Sequence, residues 1–178
     1  MNVLEAIRKR HSYRGKYSQL PISRDDLKTI MEAGLAAPSG CNMQTVSVIG
    51  VDDPEVMKHL LQVIDPPIAE TAPAALCVLT RRIPAYRDRC FAVQDYAAAI
   101  ENMLLAAVEL GYQSCWYEGH ITDDDHINDQ MAKILHVPDE YELVCFLPIG
   151  IGEDDPVCAK RKPFEQRAWF NSFGAESK

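Results

Sequence analysis

The chain has 178 residues, 47% of them hydrophobic and 25% charged, which suits one soluble globular domain with a single core. Its formal net charge is −8, so we expect the protein as a whole to repel nucleic acid and anionic membranes. No apolar run approaches the roughly 20 residues of a membrane helix, so the sequence predicts no spanning segment.

The first predicted element is a short amphipathic helix whose apolar positions are Val3, Leu4 and Ile7. It leads into a basic segment, residues 8–16, and five of the 18 Lys and Arg residues lie within the first 16 positions. Arg10 and Arg14 can form forked bonds to a phosphate, with the Ser12 hydroxyl between them. The same cations can instead complement the dipole at a helix C-terminus. From this segment alone, both interpretations stay open.

A second predicted helix begins after Ser23, where Asp26 completes a pattern similar to a capping box. The polar loop that follows this helix has an unusual composition. Pro38 cannot continue a helix, and Gly40 permits a backbone turn closed to other residues. Three further loop residues offer groups that both donate and accept hydrogen bonds; they are Ser39, Asn42 and Gln44. Such a loop suits a flat heterocycle, although an ordinary helix-to-strand connection is the alternative.

Helices and strands alternate along the rest of the chain and predict an α+β sheet protein. Apolar, β-rich runs predict strands over residues 45–51, 74–80, 112–117 and 142–151. Helical spacing predicts helices over 54–64, 86–110 and 123–136. Gly111 is the predicted C-terminal cap of the long helix, and Thr122 the predicted N-terminal cap of the last one, with Asp123, Asp124 and Asp125 in its first turn.

Six cysteines show no Cys-x-x-Cys spacing, and we expect buried, reduced thiols; they are Cys41, Cys77, Cys90, Cys115, Cys145 and Cys158. Glu5 stands where a signal peptide needs an apolar core, so we expect a cytoplasmic protein. The histidines lack a tight metal-ligand spacing, which predicts no metal site.

Four motifs in this order resemble those of the FMN-dependent nitroreductase family. The family's Arg-x-Ser-x-Arg/Lys pattern is matched by Arg10, Ser12 and Arg14. Its Pro-Ser-Ser/Gly-x-Asn-x-Gln loop is matched by Pro38, Ser39, Gly40, Asn42 and Gln44. Residues 95–107 resemble its long central helix, and Arg161-Lys162-Pro163 its Arg-x-Pro motif. The resemblance spans residues 2 to about 167.

The resemblance implies a nitroreductase-like α+β fold with a mixed central β-sheet flanked by helices. It implies one domain over residues 1–178 and a homodimer that holds FMN noncovalently at its interface. The apolar tail, about 164–178, would then pack on the partner subunit.

The resemblance also implies a set of FMN-binding residues. The phosphate would lie near Arg10, Ser12 and Arg161, with His11 and Lys160 as secondary contributors. Arg14 would approach the pyrimidine end of the flavin, where a fixed positive charge raises its potential. The loop residues Pro38, Ser39, Gly40, Asn42 and Gln44 would reach the flavin from the second subunit. A backbone amide near Glu118 and Gly119 would face the flavin N5.

The implied reaction is ping-pong: NAD(P)H reduces the flavin, and a nitroaromatic, a quinone or a similar small molecule then takes the electrons in the same space. No catalytic side chain is assigned, because the flavin carries the chemistry. Tyr86 and Phe91 are candidates for a lid, or for core packing. Three alternatives stay open: another flavin reaction, such as that of a flavin reductase or specialised dehydrogenase; an FMN store; and an anion- or nucleic-acid-binding module.

Overall fold

The computed structural model describes residues 1–155, 157 and 159–174. Its strands are β1 (Val46–Val51), β2 (Ala74–Thr80), β3 (Pro84–Tyr86), β4 (Arg89–Cys90), β5 (Gln113–Ser114) and β6 (Glu142–Gly150). Its helices are α1 (Val3–Lys9), α2 (Arg24–Leu35), α3 (Pro54–Gln62), α4 (Ala92–Glu109), α5 (Gly119–Thr122) and α6 (Ile127–Ile134). Single 3-10 turns cover Gly40–Asn42 and Phe164–Gln166. The predicted α+β class is confirmed.

The central sheet has the strand order β1-β2-β6-β5, and β3 and β4 form a separate hairpin. Every strand pairing in the described residues is antiparallel, so the parallel pairing that a mixed sheet would add is not among them. β2 lies in the middle of the sheet and is buried along its whole length. The sheet thus separates the helices that pack on its two faces.

Two apolar clusters pack on opposite faces of this sheet because successive residues of β2 point to opposite sides. Leu76 and Val78 join α2 and α4 on one face, through residues such as Ile100. Cys77 and Leu79 join α3, α5 and α6 on the other face. Each fully buried large aliphatic side chain contributes about 1.5–3 kcal/mol to the free energy of folding. This packing holds α4, which borders the candidate site, against the sheet.

Two predicted helix ends are observed: Ser23 caps the start of α2, and Gly111 follows the end of α4. The Ser23 hydroxyl accepts a bond from the Asp26 amide at 3.1 Å at the start of α2. The Asp26 carboxylate accepts a bond from the Tyr112 hydroxyl at 2.7 Å, so it completes no reciprocal capping box. Gly111 has a φ of +87° and ends α4, as predicted.

Two helix starts were predicted wrongly. The long helix begins at Ala92 rather than at residue 86, because residues 84–90 form the β3-β4 hairpin with left-handed Arg87 and Asp88 at its turn. The last helix begins at Ile127, after the left-handed His126. Thr122 does not cap it but ends α5, where its hydroxyl bonds the Glu118 carbonyl oxygen.

The basic N-terminal segment runs beside the end of β6. Tyr17 pairs with Gly152 in an antiparallel bridge, and the Ser18 amide donates to the Ile151 carbonyl at 2.8 Å. Gly152 is required for this approach, since a Cβ there would lie 2.6 Å from the Tyr13 ring. The pairing brings residues 8–18 next to the segment that follows β6, so the two ends of the chain meet.

The described cysteines are all unpaired; Cys77, Cys115 and Cys145 are buried as expected, whereas Cys41 and Cys90 are exposed. Cys158 lies outside the described residues. Within the ranges above, no helix combines the length and the apolar character that crossing a bilayer requires.

Candidate functional site

A cavity of about 340 Å³ lies where the two chain ends meet. We call it the arginine cavity; its lining residues are Arg8, Arg10, His11, Ser12, Arg14, Val157, Ala159 and Arg161. The residues around this small volume therefore include four arginines and a serine, and none of them carries a carboxylate. Such a set of donors suits a phosphate, because arginine forms bidentate, charge-assisted bonds to it.

Two neighbours orient the side chains of this cavity. The Nε atom of Arg10 lies 3.5 Å from Glu101 Oε1 on α4. The Nδ1 atom of His11 lies 3.0 Å from the Lys9 carbonyl oxygen. The other ring nitrogen of His11, Nε2, is buried and has no hydrogen-bond partner among the described residues. A buried polar atom without a partner is costly, so this nitrogen marks a place for a ligand atom.

The polar loop is held in a strained conformation by its own side chains. Cys41, Asn42 and Gln44 have φ values of 50°, 55° and 48°, in the left-handed region. The Ser39 hydroxyl accepts a bond from the Gln44 amide at 2.9 Å. Backbone strain of this kind often accompanies ligand-binding loops. The side chains of Asn42 and Gln44 remain exposed and available to a ligand.

A buried carboxylate ties this loop to α4. Asp95 is 4% exposed; its Oδ1 accepts a bond from the Gly40 amide at 2.8 Å and its Oδ2 one from the Thr45 hydroxyl at 2.7 Å. Pro38, Ser39, Gln44 and Asp95 are among the residues that line a second, smaller cavity of about 180 Å³. Asp95 thus fixes both ends of the strained segment.

The segment that follows Trp116 contains a second carboxylate held by hydrogen bonds, that of Glu118. Glu118 accepts bonds from the Tyr96 hydroxyl at 2.6 Å and from the Trp116 indole N–H at 2.8 Å. Burial, and next the bond to Glu118, raise the pKa of Tyr96. Within the described residues, the backbone amides of Glu118 and Gly119 donate to no other residue. Two oriented N–H groups are therefore available at this turn.

The nitroreductase family model matches this chain over residues 7–66 and 61–151. The chain belongs to the nitroreductase family. Its relatives include an NADPH-dependent oxidoreductase of Staphylococcus haemolyticus (strain JCSC1435), which is 29% identical; the match covers 99% of this chain and 76% of the relative.

Two similar solved structures agree with this nitroreductase fold. An FMN-dependent nitroreductase from Clostridium difficile R20291 has a TM-score of 0.80 and 25% identity, with 96% of this chain and 99% of that chain covered. A nitroreductase with bound FMN from Bacteroides fragilis NCTC 9343 has a TM-score of 0.77 and 25% identity, with 97% and 100% covered. The expected family and oxidoreductase class are confirmed. The expected FMN and NAD(P)H agree with the names of these nitroreductase relatives.

The predicted site residues lie in separate parts of the structure. Arg10, His11, Ser12, Arg14 and Arg161 line the arginine cavity, whereas Lys160 lines an adjoining one. Pro38, Ser39 and Gln44 line the smaller cavity, and neither Gly40 nor Asn42 does. Glu118 and Gly119 line none of these cavities. A further cavity of about 780 Å³ has none of the predicted site residues in its lining.

The sequence prediction needs correction for the position of Tyr86, for the role of Gly40 and for Asp95, whereas Phe91 takes the packing role that the sequence leaves open for it. Tyr86 lies on the hairpin and is half exposed, while Phe91 packs against Gly40. Gly40 needs no left-handed φ, since the left-handed loop residues are its neighbours. Instead, a Cβ on Gly40 would lie 2.6 Å from Phe91 Cδ2 and 2.8 Å from Phe91 Cβ. Asp95 was missed altogether, although an acidic residue on the apolar face of an Ala-rich helix is a signal.

We expect Gly40→Ala to lower the free energy of unfolding by about 1–3 kcal/mol, because overpacking forces neighbours to move. The clash involves Phe91 Cβ, which cannot swing away as a flexible side-chain end can. Urea denaturation measures the effect. Gly119→Ala is the matched control, since a Cβ there meets nothing within 4 Å. Equal stability of the two variants would contradict the packing argument.

Proposed function

We propose that this protein is an FMN-dependent oxidoreductase that uses NAD(P)H to reduce nitroaromatic, quinone or similar acceptors in a ping-pong reaction. The observation that carries the proposal is the convergence of Arg10 and Arg14 from one end of the chain with Arg161 from the other. The family to which the chain belongs and the FMN named in its solved relatives support it.

The arginine cavity fits the phosphate of FMN. Its lining carries four cations and no carboxylate, in a chain whose formal net charge is −8. The orphaned Nε2 of His11 adds a further point of contact. In the imidazolium form both ring nitrogens donate, so Nε2–H can bond a phosphate oxygen while Nδ1–H keeps the Lys9 carbonyl. Ser12 would add a hydroxyl donor.

The second part of the proposed site comes from a partner subunit, with the polar loop of one protomer completing the cavity of the other. Exposed apolar side chains near both chain ends support a homodimer; they include Val3 at 66%, Leu4 at 58%, Phe170 at 63% and Phe173 at 86% exposure. In the proposed dimer these side chains would form the contact surface, as exposed apolar patches commonly do. The described part of the tail, residues 164–174, would lie at that surface.

Bound FMN would supply the redox chemistry, accepting a hydride from NAD(P)H and giving electrons to the acceptor. The chain's own residues would bind FMN and adjust its redox potential. Arg14 would hold a positive charge at the pyrimidine end, and the Glu118 and Gly119 amides would donate toward the flavin. Tyr96 and Trp116 fix the Glu118 side chain and thereby the turn that carries both amides. No side chain needs to act as acid or base.

The proposed location is the cytoplasm. Cys77, Cys115 and Cys145 are buried thiols, and burial raises the pKa of Cys77 to about 12. Thiols of this kind persist in a reducing compartment, where disulfides are rare.

The test begins with the visible spectrum and the solution mass of the purified protein. We expect a flavin spectrum, release of FMN on denaturation, and a mass twice the 20.0 kDa of one chain. Initial rates with NADH or NADPH and varied acceptor should give the parallel reciprocal plots of a ping-pong reaction. A colourless protein would overturn the proposal. A flavin-loaded protein that oxidises neither donor would instead identify an FMN store.

A further inference from the structure

The cavity of about 780 Å³ is lined by helix α3, by the segment between α3 and β2, and by residues shortly before α2. We call it the proline cavity, because Pro21, Pro54, Pro67 and Pro73 are among its lining residues. It shares no lining residue with the arginine cavity or with the smaller cavity beside the polar loop. Its volume lies within the range of about 300–1,000 Å³ that is typical of small-molecule sites. The residues assigned above to FMN or to the subunit contact lie outside it.

Hydrogen bonds hold the wall of the proline cavity in place. The Thr71 hydroxyl accepts a bond from the Tyr17 amide at 2.7 Å, and the Thr71 carbonyl oxygen accepts one from the Gln19 side-chain amide at 2.8 Å. The Pro66 carbonyl oxygen lies 2.9 Å from His120 Nε2 on α5. The ring of each lining proline also fixes its own φ angle. The cavity is therefore formed before a ligand arrives, as small-molecule sites usually are.

The floor of the proline cavity is apolar. Met57, Ile64 and Ala72 line it, belong to the core cluster on that face of the sheet, and are 3%, 2% and 6% exposed. The half-buried Leu61 extends the same surface. Each methylene group that a ligand buries on such a surface tightens binding by roughly fourfold. A ligand that fills this cavity therefore has an apolar body.

The charged groups around the proline cavity favour a cation. Asp65 and Glu70 line it, and in the part of the chain that the structure describes no basic nitrogen lies within 4.0 Å of either carboxylate. The lining carboxylate of Asp52 is already bonded to Arg24, at 2.6 and 2.9 Å. Lys58, which also lines the cavity, is paired within its own helix. Two unneutralised carboxylates thus remain beside the apolar floor.

We propose that the proline cavity binds a small organic cation, an ammonium group carried on an aromatic or aliphatic body, at the same time as FMN binds elsewhere. The ammonium group lies beside Asp65 and Glu70, and the body lies against Met57 and Leu61. A metal ion does not suit the cavity, since a calcium ion takes about 6–8 oxygen ligands. Within the described ranges, no three His, Cys, Asp or Glu residues are grouped as a metal site requires.

The test uses 2-phenylethylamine, which is protonated at neutral pH, and methyl NMR of protein labelled at the methionine Cε groups. The Met57 signal should shift as the amine is added, whereas the signal of Met103, in the cluster on the other face of the sheet, should not. Met57→Leu assigns the signal, because it nearly conserves volume. The neutral isostere 2-phenylethanol should bind about threefold to tenfold more weakly, since it forms no ion pair. Ethylamine, which lacks the ring, should bind more than about tenfold more weakly.

Charge variants at the exposed rim leave the apolar floor intact. Asp65→Asn/Glu70→Gln should remove the preference for the amine over the alcohol. Lys58→Glu should tighten binding of the amine by about twofold to fivefold, because it replaces a cation by a carboxylate. Asp124→Asn/Asp125→Asn is the matched control, since it removes the same charge from the exposed turn before α6.

The dissociation constant of 2-phenylethylamine should agree within about twofold between FMN-loaded and FMN-free protein. Four results would each refute the inference: an unmoved Met57 signal, equal affinity for the amine and the alcohol, an equal loss in the Asp124→Asn/Asp125→Asn control, or displacement of the amine by FMN. The measurement needs no turnover and no flavin. A colourless protein would therefore refute the proposed function alone.

Discussion

Replacing Arg10 and Arg161 together by alanine is expected to release FMN from a protein that stays folded. Each guanidinium lines the arginine cavity. A hydrogen bond between charged groups contributes about 1.5–3 kcal/mol, so losing both costs about 3–6 kcal/mol of binding free energy. The dissociation constant for FMN should rise by roughly a hundredfold to ten-thousandfold. Fluorescence titration of the FMN-free protein with FMN measures it.

The two single variants should differ. Arg161 is exposed, whereas the Nε atom of Arg10 lies 3.5 Å from Glu101 Oε1. Arg10→Ala therefore leaves a carboxylate beside the phosphate, and we expect it to weaken binding more than Arg161→Ala does. Adding Glu101→Gln to Arg10→Ala should recover part of the loss.

Arg24→Ala is the control for this pair of variants, because Arg24 is exposed and bonds Asp52 instead. It removes the same charge and should retain FMN fully. The fold should survive all of these changes, since ion pairs near the surface contribute only about 0–1 kcal/mol. Full FMN occupancy in Arg10→Ala/Arg161→Ala would show that the phosphate binds elsewhere.

The strands were predictable because their apolar runs are long and bounded. The predicted strand over residues 74–80 matches β2 at both ends, since every side chain in it is buried. The hairpin of residues 84–90 was not predictable in the same way. The hairpin is short and exposed, and it directly precedes an Ala-rich helix. The helical pattern therefore predicts a start at residue 86, inside the hairpin. The turn of the hairpin places Arg87 and Asp88 in the left-handed region. Asp tolerates that conformation, but Arg is not a typical turn residue, and no Gly marks the turn.

The family resemblance implied that Arg10 and Arg161 share one phosphate site, but the local sequence does not explain how they come together. The order of the motifs singled out Arg10 and Arg161, but nothing local to either motif shows that they share a cavity. That proximity depends on the bridge between Tyr17 and Gly152, a contact between residues 135 positions apart in the numbering. Lys160, adjacent in sequence to Arg161, falls in the neighbouring cavity. Long-range pairing of this kind is a property of the folded chain.

Asp95→Ala should be the most damaging single change near the polar loop. Asp95 and Thr45 are 4% and 2% exposed, so the Thr45 hydroxyl would lose its partner away from water, and the part-buried Gly40 amide would lose its partner as well. A buried, unsatisfied donor costs about 1–3 kcal/mol. The free energy of unfolding should therefore fall by about 1–6 kcal/mol, and urea denaturation of the FMN-free protein measures the change.

The same variant should also weaken FMN binding, because the loop that carries Asn42 and Gln44 loses its tether to α4. Thr45→Val measures the loss of one donor alone. It removes the Thr45 hydroxyl and leaves Asp95 bonded to the Gly40 amide at 2.8 Å, so the loop keeps its contact with α4. We expect Thr45→Val to cost about 1–3 kcal/mol, because it leaves the buried Oδ2 of Asp95 without its partner. In Asp95→Ala/Thr45→Val no hydroxyl is orphaned, so the loss should be smaller than the sum of the single losses by about 0.5–3 kcal/mol. Exposed Asp125 provides the control, and an Asp95→Ala variant as stable as Asp125→Ala would show that the buried carboxylate does not hold the loop.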